Sequence, residues 1–183
     1  MTNNGSGAPN LNESGDLWIF AYGSLMWRPG FEYVVRGKAT LYGWRRRLCI
    51  WSQVYRGNPE KPGLVLGLDL GGQCEGVAYL IDPSIREATL AYLRERELVS
   101  GVYDERSVAV RLASGEAVNA VTYTAKIDHP QYAHPMAPEE TIAIIKAGVG
   151  ISGNNIDYVR NTNEHLLQLR IIDQELRTIC ELL

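Results

Sequence analysis

Apolar residues recur along this chain first with the two-residue period of strands and only late with the 3.6-residue period of helices. Leu17 to Ala21 is an apolar strand that runs straight into Tyr22-Gly23-Ser24-Leu25. Lys38 to Ser52 predicts a second strand. Gly63 to Leu70 and Glu75 to Ile81 predict two more, with Gly71-Gly72-Gln73-Cys74 as a hairpin-like connection. Asp82-Pro83-Ser84 starts a helix, with Pro just inside and Glu87 three residues after Ser84 as in a capping box. It runs to about Arg94–Leu98. Glu105 to Leu112 and Ala117 to Ala125 form a further strand pair. A loop with His129-Pro130 and His134-Pro135 follows, its prolines disfavouring helix at the preceding residues. Pro138-Glu139-Glu140 opens a helix ending near Gly148, and Gly150 to Asn155 is a small-residue loop. Asp157 to Leu183 reads as one long amphipathic helix, with Tyr158, Leu166, Leu169, Ile172, Leu176 and Ile179 near one face. Strands first and helices late predict an α+β chain built on a strongly curved sheet or small barrel.

Composition narrows the function classes. The chain has 183 residues, enough for one domain with a real core. We expect residues 1–15, rich in Asn, Gly and Ser, to be a disordered tail, and 16–183 to form a single domain. A net charge of −3 gives no electrostatic case for nucleic acid or an anionic membrane. No apolar run is long enough to span a bilayer. Cys49, Cys74 and Cys180 are odd in number and lack CxxC spacing, so they read as reduced thiols of a cytoplasmic protein. The histidines have no metal-ligand spacing on one element, and no metal or cofactor is expected.

Three segments could carry chemistry. Gly23 has no Cβ, so the strand can turn sharply there or approach a ligand closely. The amides that follow can face an anion or a carbonyl oxygen gaining charge; a plain turn closing a core strand is the other reading. Glu95 and Glu97 lie in the alternating charges Arg94-Glu95-Arg96-Glu97, which can be simply a solvated helix face. Glu97 differs because Leu98-Val99 follows it, and a carboxylate against apolar side chains has a raised pKa, as a base working near neutral pH requires. Asn154 or Asn155 can cap the last helix, with Tyr158 in its first turn either packing or pointing into a pocket. The trio Arg45-Arg46-Arg47 alternates faces on a strand and reads as solvated or ion-paired. No GxSxG, Walker or GxGxxG pattern occurs.

Taken in order, these pieces resemble the ChaC family of γ-glutamylcyclotransferases. The likeness rests on Phe20-Ala21-Tyr22-Gly23-Ser24-Leu25-Met26-Trp27, Arg46-Arg47, Ser52, Arg56-Gly57 and Lys61-Pro62-Gly63. It continues through Gly76-Val77-Ala78-Tyr79, Arg96-Glu97 with Gly101 and Tyr103, and Gly150 to Tyr158. The resemblance implies a small mixed β-barrel flanked by helices. It also implies lyase-type cleavage of glutathione into 5-oxoproline and cysteinylglycine, with no cofactor and only a small-molecule partner. It places the catalytic base on Glu97, since the family's glutamate follows an arginine. Leu98 to Val102 separate Glu97 from Tyr103 as in a longer bacterial form, which keeps Glu95 open beside it. Substrate binding then falls to Tyr22, Gly23, Ser24 and Leu25 and to Tyr158; Arg56, a cation in a Gly-flanked loop, can hold the glycyl carboxylate or be simply a surface arginine. Tyr55 stands where some members have histidine. Two alternatives remain: a cyclotransferase for other γ-glutamyl amides, and a non-catalytic γ-glutamyl-binding module regulating cation transport.

Overall fold

A computed structural model describes residues 15–183 of the chain. The tail expected over residues 1–15 falls, apart from Gly15, outside the described residues. Five strands close a barrel: β1 (Leu17–Ala21), β2 (Val35–Ser52), β3 (Gly63–Ile81), β4 (Tyr103–Leu112) and β5 (Ala117–Ala125), in the spatial order β1-β3-β2-β4-β5. Every neighbouring pair is antiparallel except the closing seam, where β1 runs parallel to β5 through Trp18↔Ala120 and Ile19↔Val121. Thr122 Oγ1 donates to Phe20 O across that seam at 2.9 Å. Among the described residues four helices flank the barrel: α1 (Arg86–Glu97), α2 (Pro138–Ala147), α3 (Asn155–Gln168) and α4 (Gln174–Leu182).

Period-two alternation sends strand residues to opposite faces, as two of the buried clusters show. Phe20, Leu41, Leu68, Ala78, Val110 and Ala120, drawn from all five strands, form one buried cluster. Leu17, Ile19 and Ala21 face the other way and join Leu93 of α1, Ile145 of α2, Val159 of α3 and Leu176 of α4.

The structure corrects three of the expected elements. Gly71-Gly72-Gln73-Cys74 is not a hairpin connection. β3 is one strand, paired with β2 from Ser52↔Gly63 to Val35↔Leu80. Gly43, Gly71 and Gly72 take φ of +82°, +97° and +68°, a region in which glycine bears no side-chain clash. The two strands bend together there, and their register shifts between Tyr42 and Trp44. The expected helix from Asp157 to Leu183 is two helices. Arg170 adopts φ +56°, its amide donates to Leu167 O, and Ile171 N donates to Leu166 O, a Schellman end to α3. Asp173 then accepts from Leu176 N and starts α4. Ile172, assigned to the apolar face, sits in the break and is exposed. Finally, Asp82 rather than Ser84 is the capping residue, accepting from Ser84 N before a short 3₁₀ turn at Pro83–Ile85 that leads into α1.

Candidate active site

The turn after β1 is fixed through its carbonyls. Arg46 Nε donates to Tyr22 O at 2.6 Å. Met26 N donates to Gly23 O, Arg28 N to Ser24 O, and the Tyr79 hydroxyl to Leu25 O at 3.1 Å. Ser24–Met26 form a 3₁₀ turn anchored by buried Leu25 and Met26. The amides at the head of such a turn find no carbonyl within it, and no side chain caps them. Gly23, Ser24 and Leu25 line a small inner pocket of about 120 Å³.

Glu97 closes the same pocket from the C-terminal end of α1. Its carboxylate is 19% exposed and lies 3.2 Å from Arg96 Nε. Burial raises its pKa from the ordinary 4.5, against a smaller downward pull from Arg96. Glu95, the other carboxylate left open by the sequence, is exposed.

Three tyrosines complete the inner wall. Tyr103, at the start of β4, donates to Leu66 O at 2.8 Å, while Tyr158 on α3 accepts from Leu66 N at 3.0 Å. That bond leaves the Tyr158 proton available to a ligand. Burial lifts the Tyr158 hydroxyl to about 12 and that of Tyr103 well above its usual value, so both stay protonated at neutral pH. Tyr123 of β5 donates to Glu105, whose carboxylate is held by Arg94 through two bonds.

The mount for Tyr158 lies one helical turn earlier. Asn154 accepts from Asp157 N and caps α3. Asn155 is fully buried; its amide accepts from Leu64 N at 2.7 Å and donates to Leu64 O at 2.8 Å. Two residues along the same face of β3, Leu66 receives Tyr158. Val149–Gly150 and Gly153–Asn154 form a minute hairpin, where the sequence predicted only a loop. It docks through Ile151 N on Val54 O and Ser152 N on Tyr55 O.

An outer cleft of about 710 Å³ adjoins the pocket and shares Ser24, Val65, Glu97, Tyr103 and Tyr158 with it. Arg56 lines this cleft, with Nη1 donating to Ser152 O and Asn154 O and its guanidinium over the Tyr158 ring at 5.4 Å. The chain thus brings six of the expected residues, Tyr22, Gly23, Ser24, Leu25, Glu97 and Tyr158, to one pocket and sets Arg56 in the cleft outside it. Tyr103, Tyr123, Asn155 and Arg96 went unassigned as site residues in the sequence, although Tyr103, Asn155 and Arg96 stand inside the segments that carry the family likeness. The Arg45-Arg46-Arg47 trio is ion-paired, Arg46 to Asp173 and the other two to Asp69. Among the described residues no three His, Cys, Asp or Glu side chains gather as a metal-binding group, and no helix is long and apolar enough to cross a membrane.

A closed mixed barrel whose seam ends in a small-residue turn facing a semi-buried carboxylate defines a class of proteins with the γ-glutamylcyclotransferase fold. A crystal structure of the glutathione-specific γ-glutamylcyclotransferase from yeast shares it, with a TM-score of 0.77 at 25% identity over 91% of this chain and 96% of that one. The ChaC-like protein family matches residues 17–183, and the chain belongs to that family. The glutathione-specific γ-glutamylcyclotransferase of Escherichia coli K12 is 33% identical over 91% of this chain and 72% of its own length. Glutathione-specific γ-glutamylcyclotransferase 1 of Danio rerio is 37% identical over 82% and 79%, and that of Homo sapiens 39% identical over 78% and 66%.

Proposed function

We infer that the chain is a glutathione-specific γ-glutamylcyclotransferase that releases 5-oxoproline and cysteinylglycine. The observation that carries the reading is that the semi-buried Glu97 and the Tyr22–Leu25 turn, whose leading amides no side chain caps, line one small pocket.

The substrate supplies both reactants. Its α-amine attacks its own γ-carbonyl carbon, the five-membered ring closes, and the bond to the cysteinyl nitrogen breaks. Ring closure needs the γ-glutamyl chain folded into one conformer, and well-oriented intramolecular attack reaches effective molarities of ~10⁵–10⁸ M. The pocket's small volume and tyrosine walls favour that folded conformer. Glu97 takes the proton from the attacking amine and returns it to the departing amine. An α-amino group has a pKa of about 7.8, so a carboxylate at 4.3 would take its proton at a cost of roughly 5 kcal/mol; each unit that burial adds removes about 1.4 kcal/mol. The turn amides hold the γ-carbonyl oxygen as it gains charge, where one donor contributes ~3 kcal/mol. Tyr158 offers a further donor from the wall.

Release of 5-oxoproline from glutathione, measured for wild type and Glu97→Gln, tests the assignment. Loss of about 10²–10⁴-fold in kcat by a variant that keeps its fold is expected. Wild-type turnover by Glu97→Gln would remove Glu97 from the mechanism. Parallel assays with γ-glutamyl-alanine separate a glutathione enzyme from one acting on γ-glutamyl amides at large.

A further inference from the structure

We propose that Arg96 is a positioning residue that locks the Ser24 turn and the Glu97 carboxylate into one unit, with the Ser24 hydroxyl as its second anchor. This rests on the reading of Glu97 as the base. The two halves of the pocket come from elements more than seventy residues apart in sequence, the turn after β1 and the end of α1. One guanidinium joins them. Arg96 Nη2 donates to Ser24 Oγ at 2.9 Å, and Nη1 donates to Arg28 O at 2.9 Å and to the Tyr92 hydroxyl at 3.0 Å. Nε lies 3.2 Å from Glu97 Oε1. All three nitrogens are engaged, on the turn, on the preceding turn of α1 and on the carboxylate. Tyr92 packs closely on the chain leaving the turn: a Cβ at Gly30, where φ is +75°, would collide with its hydroxyl.

The planar fork is the reason for arginine. Its donors point in fixed, divergent directions, whereas a lysine ammonium is one point charge on a flexible stem. Placement matters because a 1 Å displacement of a reacting group can cost about 10²-fold in rate. Ser24 thereby gains a role that needs no nucleophile. Its oxygen accepts from Arg96, and this ties the amides that begin the turn to the helix end that carries the base.

The second consequence is electrostatic. Glu97 shares the pocket with Tyr22 from the turn after β1, Tyr103 from β4, Tyr123 from β5 and Tyr158 from α3. Burial raises all four hydroxyls, which are therefore neutral near pH 7. Arg28, Arg56 and His165 share the outer cleft with Arg96 and Glu97, but among the described residues none of the three is ion-paired to Glu97. Arg96 is the cation in contact with Glu97 among the described residues.

Arg96→Met, Arg96→Lys, Ser24→Ala and the Ser24→Ala/Arg96→Met double variant test the proposal through the pH profile of kcat/KM for glutathione. Arg96→Met should move the acid limb to higher pH and lower kcat by roughly ten- to a hundredfold. Arg96→Lys should return the limb towards its wild-type position while leaving kcat depressed. Ser24→Ala should lower kcat severalfold with the limb in place, and the double variant should fall no further than Arg96→Met alone. ¹³C-NMR titration of the Glu97 carboxyl reads the same shift without turnover. An acid limb and a Glu97 titration in Arg96→Met that match wild type would overturn the proposal, as would losses that multiply in the double variant. If Arg96→Met fails to fold, Arg96→Lys decides: wild-type kcat in that variant would overturn it. Failure of the wild type to release 5-oxoproline would instead strike the proposed function, and the NMR titration would still decide the role of Arg96.

Discussion

Burial and a guanidinium pull the Glu97 carboxyl in opposite directions, and burial prevails. Two measurable consequences follow. The acid limb of kcat/KM should lie above the ordinary carboxylate value of 4.5. The folded chain also holds this proton more tightly than the unfolded chain, so Glu97's contribution to stability is greatest below 4.5 and is lost as pH rises through the folded value. Thermal melts should therefore show Glu97→Gln gaining on wild type as pH rises through that window; melting curves that stay parallel across it would contradict the raised value. Tyr158→Phe should lower kcat/KM for glutathione about tenfold, the worth of one buried hydrogen bond to a polar ligand, with little change in melting temperature beyond the lost Leu66 bond. Unchanged kinetics would count against Tyr158 as a ligand donor. The apolar pair after Glu97 marks it only faintly in the sequence, and its choice over Glu95 comes from the family resemblance, in which the glutamate follows an arginine. Arg96 could not be picked out, because alternating charges on a helix look solvated until the partner turn is seen to fold against them.

The helices and strands were readable where their signals are local. Pro138 at the start of α2 and the alternation of Ala117–Ala125 are of this kind, and both elements begin where the sequence places them. The break between α3 and α4 was not, because its left-handed residue is an arginine rather than the glycine usually found there. The conformation is held by a non-local contact, Lys38 Nζ donating to Arg170 O at 3.0 Å, and by Leu166 and Ile171 packed in one core. A left-handed residue with a Cβ costs about 1 kcal/mol or more. Arg170→Gly should raise the melting temperature by roughly 2–4 °C, read by calorimetry; a lower melting temperature would mean that the arginine side chain holds the break by contacts of its own. The continuous β3 was hidden for a related reason. Two glycines in a row suggest a reversal, and only the paired kink at Gly43 on β2 shows that both strands bend and carry on.

Arg46 ties the molecule together across three regions. It reaches Tyr22 O at the site, Glu75 O on β3 and Asp173 Oδ2 at the start of α4. The guanidinium is 2% exposed and the carboxylate 14%. Leaving one partner of such a buried pair behind costs about 3–5 kcal/mol. Asp173→Asn should lower stability by that order in urea denaturation, and it should also reduce kcat although Asp173 lies outside the pocket. A stability loss with wild-type kcat would show that the turn keeps its place without this tie.

The parallel seam between β1 and β5 has a kinetic meaning. Trp18 cannot meet Ala120 until about a hundred residues have been threaded between them, and contacts this distant in sequence form late, after the entropy of closing the loop has been spent. The turn bearing Gly23 and Ser24 hangs from the end of β1. Hairpins and helices can therefore all be present while the enzyme is still without its pocket. During refolding, helical signal should return well before 5-oxoproline release, and activity should follow the slowest phase.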